Sequence, residues 1–206
     1  MLKNKMQEYI SNAITKHDAE ILTLETFKEE IEYVEKHQLI GTELNEKITL
    51  IEKNPVSRFS DIYIERSDKE SEELLAEENA NFLEQPIDYL KKHKNEFIYL
   101  ESDWFEMIGA DSVSLEVDDV FGTYEVMLGL KLKKKYEGAL KAQLKSELKE
   151  GAKFSLLFSQ ADGLWDFNFA LDYVEGFNEE LTIGETCSLF YSFLFKLVET
   201  VEEEKE

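Results

Sequence analysis

The chain has 206 residues, 23 basic against 45 acidic, for a formal charge of −22. That excess repels phosphate and disfavours nucleic-acid or anionic-membrane binding through a broad basic face. With 43% hydrophobic and 12% aromatic residues, and only two prolines and nine glycines, the composition excludes a disordered chain or a loop-rich barrel. It predicts a helix-rich α+β domain spanning 1–206. The single cysteine, Cys187, cannot form an internal disulfide and suits a reducing compartment. The opening "MLKNKMQEYI" has no continuous apolar run and no small-residue cleavage site. A soluble cytoplasmic protein is expected.

Leu2, Met6, Ile10 and Ala13 recur at helical spacing, so residues 2–16 read as an amphipathic helix. "AEILTLE" (19–25) suits a strand or a helix start. Residues 25–41 are read as a helix stopped by Gly41. "EKITLIEKNP" (46–55) and "RFSDIYIER" (58–66) alternate as strands, with Asn54-Pro55 marking a turn between a plausible pair. Residues 1–54 could therefore form a helical lobe beside a main lobe of 55–201. Residues 65–84 hold eight acidic and two basic side chains and are read as a surface helix. Pro86 opens a further predicted helix, "PIDYLKKHKNEF". "FIYLESDWFEMIG" (97–109) is too apolar for loose loop, and "SVSLEVD" (112–118) alternates as a strand.

Two patterns coincide over 123–132. Tyr124, Val126, Leu128, Leu130 and Leu132 alternate, yet Tyr124, Leu128, Leu132, Tyr136, Leu140, Leu144 and Leu148 form an i+4 series. One long helix through residue 149 is favoured, with a strand at 123–132 as the alternative. Residues 131–149 carry seven lysines against two glutamates, a lysine-rich helix face or a docking face for an acidic surface. "AKFSLLFS" and "GLWDFNFALDYV", separated by Asp162-Gly163, predict an antiparallel hairpin. Its row Trp165, Phe167, Phe169, Leu171 and Tyr173 is read as core. Thr182-Ile183-Gly184-Glu185 is a capping box that starts a C-terminal helix. The hairpin is expected to pack against the long helix and this last helix, and residues 202–206 to fray as an acidic tail.

Catalytic signatures are missing. The histidines, His17, His37 and His93, do not share a helical turn, and no HExxH, CxxC or zinc-type spacing occurs. GxSxG, GxGxxG and GxxxxGK[ST] are absent. Cys187 falls on the apolar face of the last helix, where a thiol is inert. No catalytic residue, cofactor or metal is assigned. Asp103, Asp111, Asp118 and Asp119 could hold a hard cation, but they lack EF-hand spacing, and aspartate also favours turns for its own reasons.

The segment "FLEQPIDYLKKHKNEFIYLESDWFEMIGADSVSLEVDDVFGTYEVMLGLKL" (82–132), together with "GLWDFNFALDYVEGF", resembles small acidic proteins of Gram-positive bacteria with no established activity, some of which carry an aminotransferase-like label. The residues do not support that label, since no lysine stands in a Schiff-base context beside a phosphate loop. The leading expectation is a non-enzymatic interaction protein with an acidic surface, forming a homodimer or binding another protein, and contacting neither nucleic acid nor membrane. One alternative is a small-ligand binder or enzyme with a pocket near Trp104, Asp118 and Trp165; Asp119, Phe190 and Phe193 are further pocket or interface candidates. Another is an acidic mimic of nucleic acid that binds a basic partner.

Overall fold

Trp165, Phe167 and Phe169 point to one side of a strand, and four other strands place apolar side chains in register with them. In the computed structural model, which describes residues 1–15, 22–41 and 47–203, the elements in chain order are α1 (Leu2–Thr15), β1 (Leu22–Thr26), α2 (Lys28–Lys36), β2 (Ile48–Glu52), β3 (Tyr63–Asp68), β4 (Leu74–Glu78), α3 (Tyr89–Lys92), β5 (Glu96–Glu101), α4 (Asp103–Met107), β6 (Ala110–Val117), β7 (Tyr124–Leu130), α5 (Glu137–Glu147), β8 (Phe154–Ser159), β9 (Leu164–Ala170) and α6 (Ile183–Glu203). Short 3-10 helices lie at Pro55–Phe59, Ala80–Glu84, Lys134–Tyr136 and Leu171–Tyr173. The fold is α+β. A seven-stranded antiparallel sheet has the order β4-β3-β5-β6-β7-β9-β8, and β1 and β2 pair in parallel as a separate ribbon joined through α2.

Strand register builds the core. Ile98, Leu115, Val126, Phe169 and Phe154 are successive cross-strand partners, as are Leu100, Val113, Leu128, Phe167 and Leu156. Trp165, Phe167, Phe169 and Leu171 are fully or almost fully buried. Each such side chain contributes about 1.5–3 kcal/mol of transfer free energy. Helix α6 covers this face: Phe193 packs tilted against Phe169 at 5.0 Å, and Phe190 meets Phe105 at 5.8 Å. One contiguous cluster of buried side chains runs from Leu2 to Val201, so the described residues of 1–54 and of 55–201 share a core.

The capping box forms as expected: the Glu185 amide donates to the Thr182 hydroxyl (3.1 Å), and the Thr182 amide donates to the Glu185 carboxylate (2.8 Å). The hairpin also forms, with Gly163 left-handed (φ 71°) at the end of its loop. Other expectations are corrected. The long helix through 123–149 does not exist: Tyr124–Leu130 is a central strand, and only Glu137–Glu147 is helical beyond it. Gly129 there is a point of close approach, because a Cβ would sit 3.3 Å from Leu164. Hence the hairpin lies at one edge of a large sheet instead of against a long helix. The predicted surface helix at 65–84 is instead the end of β3, a turn, the edge strand β4 and a 3-10 helix. The helix expected after Pro86 shrinks to the four residues of α3. The strands at 46–55 and 58–66 are real but belong to different sheets. Helix α2 ends at Lys36 because Gln38 turns left-handed (φ 50°), ahead of Gly41. Glu202 and Glu203, expected to fray, are helical; the rest of that tail lies outside the described residues, as does His17.

Candidate functional site

Asn54 caps the 3-10 helix Pro55–Phe59 by accepting from the Val56 amide (3.1 Å), and this turn delivers Arg58 beneath α6. The Arg58 side chain is 1% exposed. Its guanidinium forks onto Glu30, with Nη1 to Oε1 at 2.6 Å and Nη2 to Oε2 at 3.0 Å, and Nη2 also reaches Glu29 at 2.6 Å. The planar cation lies 4.0 Å from the ring centroids of both Phe27 and Tyr191, and 4.7 Å from that of Trp104. The Tyr191 hydroxyl donates to Glu30 (3.0 Å), and burial holds its pKa well above the usual phenol value, with Glu30 adding to the effect. All of Arg58's charge is thereby spent inside the molecule.

Above this cluster opens a cleft of about 330 Å³. Its floor is Arg58 and Trp104. Its rim is Asp61, Tyr63, Glu101, Ser102, Asp103, Glu106 and Asp111. Strand register explains the convergence: Tyr63 pairs with Glu101 across β3 and β5, and β6 begins at the same end. Ser102 accepts from the Trp104 amide (3.3 Å) and starts α4, which carries Asp103 and Glu106. Five acidic residues therefore line one opening. Of these five, and among the described residues, only Asp111 has an ion pair, with Lys131. Tyr99 donates to Glu101 (2.5 Å). Tyr63 donates to Glu65, and that bond pushes its phenol up to about 12.

The cleft continues onto the outer face of the sheet. Glu65, Tyr99, Ser114, Met127, Asn168 and Ser155 form one cross-strand row, all partly or fully exposed. Farther along, Glu116 and Glu125 stand directly opposite each other on β6 and β7. Burial pushes both carboxyls above their ordinary value, while Lys69, 3.6 Å from Glu116, pulls that one back.

The sequence candidates do not meet in one pocket. Trp104 lines the cleft, half-buried, and Asp103 and Asp111 are on its rim. Asp118 and Asp119 follow the far end of β6, about 20 Å away at strand rise. Asp118 is a turn former, accepting from the amides of Val120 (2.9 Å) and Phe121 (2.6 Å). Asp119 is exposed beside Lys69. Trp165 and Phe190 are core, and Phe193 packs half-buried on Phe169. Cys187 is fully buried, and burial pushes its thiol far up. Sequence reasoning missed Arg58, Glu29, Glu30, Asp61, Glu101 and Glu106. A usable signal existed for the first: Arg58 and Arg66 are the only arginines among 23 basic residues. Arg66 is also clamped, to Glu78 (2.8 Å), Glu96 (2.9 Å) and Tyr89 (2.9 Å). Planar bidentate work selects arginine over lysine.

No protein-family model, curated protein or solved structure matches this chain. Among the described residues no helix is long and apolar enough to cross a membrane.

Proposed function

We propose that the protein is a non-enzymatic interaction protein of the cytoplasm whose acidic cleft and adjoining sheet face receive a lysine- or arginine-rich segment of a partner protein. The observation that carries this reading is the convergence of Asp61, Glu101, Asp103, Glu106 and Asp111 on one opening, four of them without an ion pair among the described residues. Tyr63, Tyr99 and Trp104 add aromatic surface on which a cationic side chain can lie. The charge of −22 steers a basic partner toward the surface. The cleft is small and mainly polar, unlike the apolar pockets that enclose small-molecule substrates. Most of the apolar rows of α6 and the β8–β9 hairpin are buried within the chain, which weakens the motive for dimerising through them.

Binding of a lysine- and arginine-rich peptide, measured by calorimetry at low and high salt, tests this. The variant Asp61→Asn/Glu101→Gln/Asp103→Asn should bind at least tenfold more weakly than the wild type. A control with the same charge change in the β3–β4 turn, Glu70→Gln/Glu72→Gln/Glu73→Gln, should bind within about twofold of it. Equal weakening by both would mean that net charge alone attracts the peptide, and the cleft reading would fail.

A further inference from the structure

Glu199 and Glu203 stand four residues apart on α6, so one helical face presents both carboxylates. Against them lies His37, the C-cap of α2, its ring 4.0 Å from that of Tyr33. His37 Nε2 is 3.2 Å from Glu199 Oε1 and 3.0 Å from Glu203 Oε1. The three donor atoms lie within 4.8 Å of one another. That ring nitrogen has one hydrogen at most and cannot fully serve two carboxylates. The neighbouring cation is Lys36, 3.0 Å from Glu199 and 2.7 Å from Glu203, on a side chain that is 54% exposed and free to swing into solvent.

We propose that His37, Glu199 and Glu203 form a zinc site, with water as the fourth ligand. A tetrahedral zinc ion with bonds of about 2.0–2.2 Å holds its donors roughly 3.3–3.5 Å apart. The two His–Glu separations already approach that spacing, so the ion needs side-chain adjustment and no rearrangement of α2 or α6. One imidazole nitrogen and two carboxylate oxygens suit zinc better than calcium or magnesium, which favour all-oxygen shells. His37 and Glu199 are each 15% exposed and Glu203 is 36% exposed, which leaves an entry path and room for the water. The dication takes over the charge balance that the Lys36 ammonium supplies. Because the ligands come from two helices far apart in sequence, the bound ion ties α2 to the last turn of α6.

The test is titration of the full chain with Zn2+ in competition with a chromophoric chelator, repeated with Co2+ as a spectroscopic substitute. We expect one tight site per chain and the intense visible absorption of tetrahedral Co2+. His37→Gln and Glu199→Gln should each weaken binding at least tenfold, and Lys36→Met should bind as tightly as the wild type or tighter. An acidic surface also attracts divalent ions diffusely. Weak binding that His37→Gln leaves unchanged, or cobalt absorption of octahedral intensity only, would overturn the site. In the unsubstituted protein, Zn2+ should shift the imidazole NMR signal of His37 and leave that of His93 in place. An unmoved His37 signal would overturn the proposal without recourse to variants.

Discussion

At the residue scale, Arg58 has the largest energetic consequence. Its charge is buried with Glu30 and bonded on both forks, so the pair holds a 3-10 turn, α2 and α6 together. Removing one partner of such a pair strands a buried charge and costs about 3–5 kcal/mol, whereas replacing both by apolar groups costs far less. Arg58→Met should therefore destabilise the protein by about 3–5 kcal/mol in urea unfolding, and Arg58→Met/Glu30→Met should recover a large part of that loss. Strictly additive losses would show that the two residues do not act as a pair. The cluster could not be read from the sequence by spacing, because Glu30 and Tyr191 are 161 positions apart. The scarcity of arginine was legible and went unused. Asp103 and Asp111, singled out as loop aspartates near Trp104, do reach the cleft with it, but the loop residue Asp118 serves a turn and Trp165 the core.

At the element scale, strands β6 and β7 set Glu116 opposite Glu125, and like charges directly opposed in a ladder are unfavourable by about 0.2–1 kcal/mol. The pH dependence has a definite sign. Folding raises both carboxyl pKa values, chiefly through burial and secondarily through nearby carboxylates, so the folded state holds these protons more tightly than the unfolded chain. The penalty is fully present above the raised folded values and disappears as pH falls below the ordinary glutamate value of about 4.3. Glu125→Gln should stabilise the protein by up to about 1 kcal/mol at pH 7 and lose that gain near pH 4. A gain that persists unchanged in acid would refute a penalty tied to the charged, half-buried carboxylates. Legibility at this scale followed burial. The β8–β9 hairpin and α6 were readable because one face of each is continuously apolar. Residues 124–130 were ambiguous because Leu128 and its neighbours satisfy a two-residue and a four-residue period at once, and pairing with β6 and β9 decides between them. Strand β4 was invisible: it is an edge strand with Leu74 and Leu75 exposed, a register shift in its pairing and glutamates along its length, so it has no buried alternation to detect.

At the scale of the whole molecule, one face of the sheet is sealed by helices and the other remains open and acidic. This division follows from strand alternation: the inward residues are apolar in register across β5 to β8, and the outward ones include Glu65, Glu101, Glu116, Glu125 and Asp166. Class and surface charge were therefore legible in composition and alternation. The location of the cleft was not, because it depends on which strand ends the topology brings side by side.

The most direct test of the cleft as a docking site is hydrogen–deuterium exchange with and without a saturating lysine- and arginine-rich peptide. The account predicts slowed exchange confined to residues 60–65 and 99–112, where β3, β5, α4 and the start of β6 surround the opening. Protection centred instead on the exposed edge of β8, or spread evenly over the acidic surface, would contradict it.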